Sequence, residues 1–108
     1  MRFSLPYWLR TALGVKPDRS ISTIEGVREE VLRSLSEVTD VPVGSIVRTA
    51  LLVEDLRIDG DDYAMELIPA LRWRFRINPP LQDWERVRTV GELEALVARH
   101  VGLADRGA

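Results

Sequence analysis

Residues 53–67, VEDLRIDGDDYAMEL, hold six carboxylates (Glu54, Asp55, Asp59, Asp61, Asp62 and Glu66) with a single arginine, a glycine and a tyrosine. Paired carboxylates can pass protons as general acid and base, and a carboxylate-rich turn can ligate a hard cation. Tested as a calcium loop, Asp55 as first ligand puts Asp59 fifth, Gly60 sixth and Glu66 twelfth, the spacing of a helix–loop–helix calcium site. The third position fails, because Arg57 brings a cation where an oxygen is needed, and Asp62 stands where an apolar residue is usual. Tested as an acid–base pair, Asp59 with Asp61 or Asp62 has no nucleophile beside it, since the stretch contains no serine, cysteine or histidine. Acids at the start of a helix satisfy orphan N–H groups and favour the positive end of its dipole. The turn is therefore expected to cap a helix rather than to catalyse. No catalytic residue, metal ligand or bound cofactor is assigned, and the chain is expected not to be an enzyme.

A second candidate cluster follows at once. Arg72, Trp73, Arg74 and Arg76 lie within LRWRFRI, and arginine with tryptophan supplies bidentate hydrogen bonding, stacking and buried area at protein interfaces. Together with Asp59, Asp61, Asp62 and Glu66 they are the expected partner-binding residues. Three arginines on a chain of net charge −2 fall short of the basic stripe that binds phosphate backbones, so no nucleic-acid partner is expected. His100, the one histidine, sits where a last-turn cation would complement a helix dipole, with no second ligand type beside it.

The elements that position these residues can be read from periodicity. With 108 residues, 45% of them hydrophobic, the chain has the size of one small domain, here expected over 21–103, with an appendage at 1–20 and a tail at 104–108. The appendage is aromatic (Phe3, Tyr7, Trp8), read either as an arm packed on the body or as a segment for a membrane surface or a partner's groove. Its aromatic surface adds a homodimer to an unidentified protein as a partner class. The absence of cysteine excludes disulfides and thiol chemistry and fits a reducing, cytoplasmic setting. No apolar run reaches the length of a spanning helix, so no membrane insertion is expected.

A helix is expected from Ser22, where STIE places Glu25 three residues after a hydroxyl cap, with Ile24, Val27, Val31, Leu35 and Val38 as its buried stripe and a stop near Asp40, ahead of Pro42. Residues 42–60 are too apolar to float in solvent and should lie across the core. A second helix follows the acidic turn, with Leu67, Leu71 and Phe75 inward. Here two readings compete: LRWRFRI alternates like a half-buried strand, and Pro69 is unfavourable inside a helix. LQDWERV then gives a short helix, and TVGELEALVARHV a last one with a Thr89/Glu92 capping box and Val90, Leu93, Leu96, Val97 and Val101 buried.

This order of elements and several motifs resemble the acyl carrier protein family over residues 22–101. STIE at Ser22–Glu25 is similar to the family's first-helix entry. DLRIDGD matches the family pattern D-L-G-x-D-S-L at Asp55, Leu56 and Asp59, and MELIPALRWRF matches its second helix at Glu66, Leu67, Ala70, Leu71 and Phe75. The resemblance implies a four-helix all-α bundle with an added N-terminal aromatic segment, and it favours helix over strand for residues 71–77. It also exposes a departure. The serine that carries 4′-phosphopantetheine in the family is replaced by Gly60, or by Asp61 if the one-residue insertion is placed before it. The I-D-G-D-D turn at 58–62 resembles that of small bacterial carrier-type proteins, which implies that the loss belongs to a subfamily. The function implied is a non-enzymatic interaction module on a carrier scaffold; the alternative is a working acyl or aminoacyl carrier that uses a different serine.

Overall fold

The structure is a computed structural model that describes residues 23–102; the aromatic appendage and the C-terminal tail lie outside the described residues. Among those residues it is all-α: α1 (Ile24–Thr39), a 3-10 turn (Val43–Ser45), a continuous helical run made of α2 (Gly60–Asp62), a π turn (Tyr63–Leu67) and α3 (Ile68–Phe75), then α4 (Leu81–Glu85) and α5 (Val90–Val101). The one β-type pairing among them is an isolated bridge between Leu51 and Thr89.

α1 begins one residue later than the STIE motif suggests. Thr23 is the cap, its Oγ1 accepting from the Gly26 N–H at 2.9 Å, while Ser22 lies outside the described residues. The helix ends at Asp40, which takes a left-handed conformation (φ 64°) and donates its N–H to the Ser36 carbonyl. Pro42 two residues on keeps the chain from continuing. Val27, Val31 and Leu35 are buried as expected, but Ile24 is exposed and Val38 half-buried. Glu30 and Ser34, which share that stripe, are buried with them.

α5 follows its expected pattern closely. Thr89 Oγ1 accepts from the Glu92 N–H at 3.1 Å, and Glu92 Oε1 accepts from the Thr89 and Arg88 N–H groups at 3.0 and 2.8 Å, so the capping box is complete. Val90, Leu93, Leu96 and Val97 are buried as expected while Val101 is half-buried, and Gly102 (φ 92°) closes the helix in the left-handed geometry that glycine adopts without strain.

The core forms where α1, α3, α4, α5 and the long connection meet. Ile46, Ala50, Leu52, Leu56 and Ile58 from that connection are buried in it beside Leu67, Leu71, Trp84 and Leu93. Truncating any of these leucines to alanine would remove about 2–5 kcal/mol. The connection is held by backbone bonds to the start of α5: Leu52 N–H to Arg88 O at 2.9 Å, Val90 N–H to Ala50 O at 3.0 Å and Gly91 N–H to Arg48 O at 2.8 Å. A Cβ at Gly91 would stand 3.3 Å from the Arg48 carbonyl, a tight contact that a small shift of the connection would have to relieve.

LRWRFRI is helical through Phe75, and the π turn shows how Pro69 is accommodated. A proline ring crowds the carbonyl four residues back and brings no N–H. Just before it the helix widens, so that the Ile68 N–H donates to the carbonyl of Tyr63, five residues back rather than four. The helix then runs on to Arg76, left-handed at φ 54°, whose N–H caps on Arg72 O.

Candidate functional site

The acidic turn is built by its own carboxylates. Asp55 Oδ2 accepts from the Leu51 N–H at 2.8 Å, and Arg57 passes through the left-handed region (φ 62°), which turns the buried Ile58 back toward the core. Asp59 is the cap of α2, its Oδ1 accepting from the Asp62 N–H at 2.7 Å. The two residues that would open a calcium loop thus spend an oxygen each on backbone. Among the described residues no three His, Cys, Asp or Glu side chains are grouped to hold a metal ion. Asp61 is exposed and Asp62 half-buried, both in the first turn, where negative charge is favoured by the orphan N–H groups.

Gly60 opens α2 on the surface. Its φ is not positive, and a Cβ built there meets nothing within 4 Å, so neither the backbone nor packing demands glycine at this position. Beside it lies a small pocket of about 130 Å³, lined by Leu52, Ile58, Tyr63 and Val87, with Glu54, Asp59 and Arg88 also contributing. The Tyr63 hydroxyl donates to the Trp84 carbonyl at 2.5 Å, tying the π turn to α4. Burial first, and the nearby Glu85 carboxylate second, push the Tyr63 phenol well above its ordinary value. It is therefore a fixed donor and not a proton acceptor near neutrality. Sequence reasoning did not single out this tie, because Tyr63 and Trp84 are 21 residues apart and each reads alone as an ordinary aromatic.

The arginine cluster divides. Arg72 and Arg76 are exposed, and Trp73 is half-buried with its indole N–H unpaired among the described residues. Arg74 faces inward and is buried against α1, its Nε and Nη2 each 2.8 Å from Glu30 Oε2, while Arg33 Nη1 reaches Glu30 Oε1 at 3.1 Å. The expected four-residue contact patch is corrected on this point: Arg74 is a structural cation that neutralises a buried acid, because a helix turns by about 100° per residue and cannot present positions 72 and 74 to one side. The buried Glu30 was missed. Its signal was present, since Glu30 lies three residues after Val27 and four before Ser34 on the inward stripe.

A second buried carboxylate, Glu94 on α5, lies 3.1 Å from Arg48 Nε and 3.5 Å from Arg28 Nε, joining the long connection, α1 and α5 by charge. Glu66 is half-buried on the flank of the π turn, and His100 Nδ1 stands 3.0 Å from the Leu96 carbonyl in the last turn of α5. None of these groups is arranged with a nucleophile. No helix among the described residues is long and apolar enough to cross a membrane. No protein-family model matches the chain.

Proposed function

We propose that this chain is an acyl carrier protein-like interaction module of the bacterial cytoplasm, one that keeps the carrier scaffold without carrying a prosthetic group. The observation that supports the reading is Gly60, at the exposed entry to the second helix: the resemblance aligns it, or Asp61, with the serine to which carriers attach their arm, and it offers no hydroxyl to esterify. The space around it is open, so a serine would fit, and its lack is not explained by packing. No serine occurs after Ser45, and Ser34 is buried in the core. Asp61, the other residue that could align there, bears a carboxylate, which cannot form the phosphodiester of a serine.

Without a prosthetic arm, the work left to such a scaffold is contact. Asp61, Asp62, Arg72 and Arg76 place charge of both signs along residues 60–76, with Trp73 at the flank, and this surface is the proposed contact face for a protein partner. The test is intact mass after co-expression with a broad-specificity phosphopantetheinyl transferase. The unmodified mass is expected; a stoichiometric phosphopantetheine adduct on any serine would replace this reading with that of a working acyl or aminoacyl carrier.

A further inference from the structure

Asp61, Met65, Pro69 and Arg72 recur every three or four residues along the solvent-facing side of the helical run 60–75, whose π turn shifts the usual register, and Arg76 caps its end. The structure leaves that face uncovered: Asp61, Arg72 and Arg76 are exposed, Pro69 is half-buried, and Met65 is 66% exposed, the largest exposure of any large hydrophobic among the described residues. Along its length the face reads acid, apolar, base. Asp61 and Asp62 sit at one end, Met65 and Pro69 in the middle, and Arg72 and Arg76 at the other. Met65 and Pro69 are the neutral residues about which the charges reverse sign.

Such a face is complementary to itself. Rotation by 180° about an axis through position 67 lays a second copy antiparallel to the first and brings Asp61 and Asp62 of each level with Arg72 of the other. Met65 then meets Pro69 of the other copy. The sequence positions agree, because Asp62 and Arg72 each lie five residues from position 67, midway between 65 and 69, and Asp61 lies six; Arg76, nine residues out, adds charge at the rim. A two-fold contact uses the same patch twice, so one acid–base arrangement supplies two sets of ion pairs and excludes water from two exposed methionines. A partner of uniform charge would instead meet repulsion at one end.

We propose that the exposed face of residues 60–76 is a homodimer interface, whose occupant is a second copy of this chain in antiparallel orientation. The proposal rests on reading that face as a contact surface and goes further in identifying what it contacts. Sedimentation velocity of the full chain over a concentration series tests it. Wild type is expected to dimerise reversibly. Asp61→Arg/Asp62→Arg and Arg72→Asp/Arg76→Asp should each weaken self-association by roughly tenfold or more, since both ends then face like charge. An equimolar mixture of the two variants should dimerise again, because every acid–base pair is restored with its sign reversed. Met65→Glu, which leaves the end charges in place, should also weaken the dimer, and urea midpoints near wild type for all variants exclude misfolding as the cause. A wild-type chain that stays monomeric, or a dimer indifferent to all these substitutions, would overturn the proposal. So would a mixture that fails to reassociate. Those results leave the mass test of the missing prosthetic group untouched, and an adduct in that test would leave the dimer experiment standing.

Discussion

Arg72 and Arg74 are two residues apart in sequence and should behave as opposites. Arg74 and Glu30 have side chains only 9% and 7% exposed, and the guanidinium places two nitrogens 2.8 Å from one carboxylate oxygen. Replacing Arg74 by alanine leaves a buried carboxylate with one remaining cation, Arg33, whose own side chain is 55% exposed. Removing one partner of a buried pair costs about 3–5 kcal/mol, and the surviving Arg33 contact places the expected loss at the lower end, about 3 kcal/mol. At about 4–8 °C per kcal/mol for a domain of this size, the melting temperature should fall by about 12–24 °C. Arg72→Ala, on the exposed face, should change stability by less than about 0.5 kcal/mol. The double variant Glu30→Met/Arg74→Met should recover most of the loss, because an apolar pair of similar volume carries no desolvation penalty. Urea denaturation with a common slope separates the three. Equal midpoints for Arg72→Ala and Arg74→Ala would refute the reasoning, since they would mean that the Glu30 site is as solvated as the surface.

Three other outcomes follow from the same geometry. Tyr63→Phe deletes the hydroxyl donor to Trp84 O and should cost about 0.5–1.5 kcal/mol at neutral pH; an unchanged urea midpoint would count against that bond. Because the folded phenol titrates above its ordinary value of 10.0, wild type should lose stability as pH rises past 10, where the unfolded chain ionises first, and Tyr63→Phe should flatten that alkaline limb. Glu92 is held below its ordinary value of 4.5, first by the N–H groups of Arg88 and Thr89, so its contribution is present above that value and is lost as pH falls through the lowered one. Urea midpoints across the acid limb should therefore be less pH-dependent for Glu92→Gln than for wild type; parallel curves would contradict the capping box.

The sequence made the first and last helices legible because their hydrophobic stripes and hydroxyl caps are local signals. Thr89 and Glu92 could be paired from their spacing alone, and the Ser22 cap moved by only one residue, to Thr23. Residues 68–77 were harder, since Leu71, Trp73, Phe75 and Ile77 alternate as in a strand while the chain buries Leu71 and Arg74 as a helix does. Pro69 looked like a break because its accommodation depends on the preceding π turn, which leaves no residue signature. The acidic turn was read as a helix cap without saying which residue does it, and Asp59 proves to be that residue; the inward turn of Arg74 depends on Glu30, 44 residues earlier, and no local pattern reports a partner at that distance.

The central claim is that position 60 is a carrier attachment point without its hydroxyl, and it is tested most directly by intact mass of wild type and Gly60→Ser, each co-expressed with the same phosphopantetheinyl transferase. The open space at Gly60 and its non-positive φ should let the serine variant fold as wild type does. The expected result is an unmodified wild-type chain and a serine variant heavier by one phosphopantetheine. A wild-type chain that gains the group would contradict the account, and a serine variant that folds but stays unmodified would show that position 60 is not an attachment point.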